Sequence, residues 1–188
     1  MKKSVLLLQI AAVICLGLIF FFPIWHITLI APQYPDGVTM YIWLDHFSGD
    51  EPGTIQNINI LNHYVGMKMI EPAMFPELIW FPRIIMAFIA LGLLSLVKKG
   101  RFIWIFTALL IVTAVLGIYD FYLWEYDYGH NLSDTAPIKI PGQAYQPPLI
   151  GSKELLNFIA ISYPSAGGIF YGLAIFFSGV AAWVYRKK

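Results

Sequence analysis

Leu94-Ser95-Leu96-Val97-Lys98-Lys99-Gly100-Arg101-Phe102-Ile103-Trp104 is the stretch that decides the architecture. Three cations and a glycine separate two apolar runs, Leu78 to Val97 and Phe102 to Leu123. Each run has the roughly 20 residues that a helix needs to cross a hydrocarbon core about 30 Å thick. So short a connection makes them an antiparallel helical hairpin. Two further runs qualify, Val5 to Trp25 and Gly167 to Tyr185. The sequence therefore predicts an all-α membrane protein with four transmembrane helices, forming a single integral domain over residues 1–188. Two long, partly structured loops, at about 26–77 and 124–166, complete the prediction.

Composition agrees. Hydrophobic residues make up 59% of the 188 and charged residues 12%, where a soluble domain carries roughly 25% charge. Mean hydropathy is +0.68. The net charge of +1 provides no basic patch to neutralise phosphates, which excludes nucleic acid as a partner. One cysteine excludes an internal disulfide and any CxxC motif.

Charge predicts the orientation. Lys2, Lys3, Lys98, Lys99, Arg101, Arg186, Lys187 and Lys188 fall at one set of helix ends, with no acidic residue among them. The positive-inside rule puts these ends in the cytoplasm, with both termini inside and both long loops outside. All eleven acidic residues lie in those loops or near the outer helix ends. Against Lys68, Arg83, Lys139 and Lys153 they leave the outer face at a formal −7. Lys2-Lys3 and the apolar run after it have the start of a signal peptide, but no small-x-small site follows. Ile14 before Cys15 departs from a lipobox. The first run is expected to be an uncleaved helix, with Cys15 a packing or lipid-buried thiol.

The loops carry local signals. Pro32-Gln-Tyr34-Pro35-Asp36-Gly37 reads as a turn, and Val38 to Leu44 alternates like a short strand. Gln56 to Met69 is expected to be a short amphipathic segment closed by Glu71-Pro72. Trp124-Glu-Tyr-Asp-Tyr-Gly129-His130 continues off the third span, and Pro137, Pro141, Pro147 and Pro148 then impose an extended path. Ser152 to Ala160 has the pattern of an interfacial helix with Ser152 as its N-cap.

All four histidines (His26, His46, His63, His130) belong to the loop side, as do Met40, Met67, Met69 and Met74. Thioether and imidazole together suit copper, because soft sulfur selects Cu(I). His63-Tyr-Val-Gly-Met67-Lys-Met69-Ile-Glu71-Pro-Ala-Met74 is the densest stretch. A helix there would put His63 and Met67 one turn apart on one face. An extended chain would project Met67 and Met69 to the same side. His63, Met67, Met69 and Met74 are thus the candidate copper ligands, while plain apolar packing explains the same methionines. Arg83 and Asp120 are the charges nearest the membrane interior, each close to the outer boundary of an adjacent helix. They are expected to form an ion pair, serving an ion or quinol site or structure alone. No nucleophile elbow, P-loop or other catalytic signature is present, so an enzyme is not expected.

Asn57-Ile-Asn-Ile-Leu-Asn62-His63-Tyr-Val-Gly66-Met67-Lys68 and Tyr145-Gln-Pro-Pro-Leu-Ile-Gly151-Ser-Lys-Glu-Leu-Leu-Asn157-Phe resemble NosB-like proteins. These are small four-span membrane proteins encoded in gene clusters for nitrous oxide reductase maturation. The resemblance extends over the whole chain. It implies an accessory role in maturation of, or electron supply to, an extracytoplasmic copper enzyme, with copper and other membrane or extracytoplasmic proteins as partners. A non-metal structural subunit or docking scaffold is the alternative.

Overall fold

Strand follows the first apolar run, and strand leads into the last. The structure, a computed structural model, describes residues 3–98 and 100–186. Lys2, Lys99, Lys187 and Lys188, half of the cations that predict orientation, lie outside the described residues.

Four helices are long and apolar enough to cross a membrane. They are α1 (Lys3–Leu18, extended by a 3-10 turn to Phe21), α3 (Glu77–Lys98), α4 (Arg101–His130) and α5 (Ala166–Arg186). The first ends at Phe21 rather than Trp25, since Pro23 cannot continue a hydrogen-bonded helix. Each helix touches two neighbours, in the ring α1–α3–α4–α5. Small residues allow close approach: Ala12, Ala174, Ala181 and Ala182 are fully buried. A Cβ built on Gly92 would sit 2.6 Å from a Val13 methyl. Polar side chains inside the bundle pair with one another, as apolar surroundings require. Gln9 Nε2 donates to Ser95 Oγ at 2.8 Å, and Thr107 and Ser178 hydroxyls meet at 2.6 Å. Cys15 is buried in the same core.

The two long loops fold together. From the first come β1 (Trp25–Ala31), β2 (Tyr34–Ile42), β3 (Phe47–Gly49) and helix α2 (Thr54–Val65). From the second come β4 (Gly151–Leu155) and β5 (Phe158–Pro164). They make one antiparallel sheet in the order β3-β2-β1-β5-β4. The junction is β1 against β5, with Trp25 opposite Pro164 and Ile30 opposite Ile159. Both loops therefore sit at the same end of the helices.

The all-α expectation is corrected: the protein is mixed α/β. Two segments that would each leave unpaired edges satisfy their backbone groups on one another. The interfacial helix expected over Ser152 to Ala160 is instead the β4–β5 hairpin, turning at Leu156-Asn157. The sheet alternates, as a half-solvated antiparallel sheet should. Ile27, Leu29, Val38, Met40 and Ala160 face a core shared with α2 and the end of α4. On the other face Thr28 and Thr39 hydroxyls meet at 2.8 Å, and the His26 ring lies between those of Tyr41 and Tyr163.

Candidate functional site

The 30 residues of α4 span about 45 Å at 1.5 Å rise, half as much again as a ~30 Å hydrocarbon core. The last turns, past Leu123, stand in the sheet domain. There Trp124 and Tyr128 pack on the sheet core with Phe75, and Tyr128 Oη donates to Met69 O at 3.0 Å. The segment 131–150, without helix or strand, then crosses this end of the helix. Tyr145 N donates to Gly129 O at 2.9 Å. A Cβ at residue 129 would lie 2.3 Å from Gln146 N, so only glycine admits this crossing.

Between α2, the sheet, the end of α4 and this crossing segment lies a cavity of about 460 Å³. Ile27, Leu29, Met40, Ile58 and Leu155 make its apolar wall. Glu125 lines it with 0% exposure, and neither carboxyl oxygen has a protein hydrogen-bond partner. Tyr145, 1% exposed, lines it too, and its hydroxyl is likewise unpartnered. Burial pushes the Glu125 carboxyl up to about 8 and the Tyr145 hydroxyl above its ordinary value, because an apolar surround disfavours the charged form. Among the described residues no Lys, Arg or His lines the cavity.

The expected copper ligands are differently placed. Gly66, at φ 83°, caps α2, with Gly66 N donating to His63 O and Met67 N to Asn62 O. The helix thus stops between His63 and Met67, and the one-turn spacing does not arise. Met67 packs on the sheet core and lines the cavity, whereas Met69 and Met74 are exposed. His63 is exposed in the last turn of α2. Lys68, between the two methionines, pairs with Asp127 at 2.5 Å. Among the described residues no group of three or more His, Cys, Asp or Glu could hold a metal ion. The other histidines stand apart: His26 bonds Ser165 Oγ, His46 pairs with Asp45, and His130 bonds Tyr126 O.

Arg83 and Asp120 form no ion pair. Arg83 lies three residues beyond Trp80 on one helix face, and its guanidinium sits 5.0 Å from the Trp80 ring centroid. That contact, with an exposed head group, satisfies the cation without Asp120, itself exposed on α4.

Glu125 escaped the sequence reading, although its signal was there. Phe121, Trp124, Glu125 and Tyr128 follow the i, i+3, i+4, i+7 spacing of a buried helix face, so Glu125 is a lone acid on an apolar stripe. No protein-family model matches this chain, and no curated protein or solved structure matches it.

Proposed function

We propose that this chain is an accessory protein of the bacterial inner membrane, with both termini cytoplasmic and the sheet domain outside. It supports maturation of, or electron supply to, an extracytoplasmic copper enzyme such as nitrous oxide reductase. The carrying observation is the β1–β5 pairing, which joins two loops more than a hundred residues apart into one folded domain on the helices. Loops that merely tether spans have no need of a shared sheet and core. A docking role through this domain is favoured over metal storage, because Met67 turns inward while Met69 and Met74 face out. The link to nitrous oxide reductase rests on the resemblance of the two loop phrases around His63 and Gly151.

The test is deletion of the gene in its native host, followed by nitrous oxide reduction and the copper content of the exported enzyme. Loss of reduction with a copper-poor enzyme marks maturation, and loss with a copper-replete enzyme marks electron supply. Unchanged reduction overturns the proposal. Copper quantification on the purified chain separates docking from metal binding. Stoichiometric copper that disappears on replacing Met67 and Met69 by leucine would restore the metal site and overturn the docking preference.

A further inference from the structure

We propose that the cavity beside Glu125 is a binding site for an apolar amine, whose ammonium group pairs with the Glu125 carboxylate. Several observations converge on that chemistry. The cavity, at about 460 Å³, falls within the range of small-molecule sites. Its walls are mainly aliphatic and aromatic, so the bulk of the ligand is apolar. A fully buried carboxyl group with no protein partner at either oxygen is costly unless a complementary group meets it. Among the described residues no cation lines the wall, so a cation that pairs with the carboxylate comes from the ligand.

Charge and surface select further. An anion would meet no cation among the described residues at the wall and would oppose ionisation of Glu125. A bare metal ion would find a single carboxylate where hard cations take six or more oxygens. The rings of Tyr34, Trp124, Tyr128 and Phe158 line the same space, and aromatic faces attract ammonium groups. The surrounding loops, with their excess of acidic residues, raise the local concentration of cations. Ile60, Tyr64 and Ile138 line the cavity and are also about half exposed, which gives an apolar ligand a greasy approach. The Tyr145 hydroxyl and the Trp124 indole N–H, both unpartnered, also line the cavity, and the hydroxyl is the acceptor for an ammonium hydrogen.

The experiment uses the full chain in lipid nanodiscs and two probes of nearly equal shape, 2-phenylethylamine and 2-phenylethanol, titrated by calorimetry. The amine should bind at least about tenfold more tightly than the alcohol, the scale of a charge-assisted hydrogen bond. Glu125→Gln should weaken the amine about tenfold while leaving the alcohol unchanged, which also shows that the cavity is intact in the variant. Tyr145→Phe should weaken the amine by a smaller factor. Equal affinity for the two probes would replace the amine with a neutral hydroxyl ligand and overturn the proposal. So would unchanged amine binding in Glu125→Gln, or no binding of either probe.

Discussion

The indole of Trp25 donates a 2.7 Å hydrogen bond to Ser162 Oγ, across 137 residues of chain. Ser162 is fully buried and donates onward to Leu149 O at 3.2 Å. Trp25 also packs edge-on against Phe121 of α4. One residue of the first loop thus ties together the second loop and a membrane-length helix.

Ser162→Ala would strip the partly buried indole N–H and the Leu149 carbonyl of their partner. An unsatisfied buried group costs about 1–3 kcal/mol. The expected outcome is a sheet domain that unfolds earlier in denaturant while the helices keep their far-UV circular dichroism. Trp25→Phe in the same background should recover part of the loss, since it removes the orphaned donor. Equal stability of Ser162→Ala and the parent would show that the bond carries no weight.

Gly129→Ala places a methyl group against the backbone of Gln146, which has no side-chain freedom to yield. Overpacking of this kind typically costs about 1–3 kcal/mol. Limited proteolysis should cut the variant faster within 131–150, because Tyr145 loses its seat on α4. Unchanged cleavage would mean that the crossing segment is held elsewhere.

Arg83 and Asp120 should behave as independent sites. A double-mutant cycle with alanine at each should return a coupling within the ~0.3–0.5 kcal/mol of non-interacting positions. Arg83 should instead couple to Trp80, over whose ring it sits. A strong Arg83–Asp120 coupling would reinstate the pair that the sequence leads one to expect.

Glu125 sets a pH dependence of defined sign. Its ordinary value is 4.5 and burial in the fold raises it to about 8. The unfolded chain ionises first, so the stability held below about 4.5 falls as pH rises towards 8. Glu125→Gln removes the ionisation and should flatten unfolding midpoints over that window. A parent curve already flat between those limits would show that the carboxyl is solvated or paired in the fold.

The helices were legible from the apolar runs alone. Roughly 20 apolar residues can satisfy their backbone in lipid only within the segment, so Leu78–Val97 and Phe102–Leu123 needed no tertiary context. The sequence also marked Gln56 to Met69 as amphipathic and Val38 to Leu44 as alternating, since both periodicities are local. What the tertiary structure decided is the partnership of the two loops. Ser152 to Ala160 carries the local pattern of an interfacial helix, and the backbone edge of β1 overrode it by pairing with β5. The hairpin turn lacks an Asn-Gly signal: Leu156 takes φ 57°, a conformation usually left to glycine, and flanking pairing holds it there. The cavity is likewise tertiary. Glu125 was legible as an acid on an apolar helix face, but the apolar wall around it depends on what α2, the sheet and Tyr145 place there. Distances between residues far apart in the chain come from packing, which no local pattern encodes.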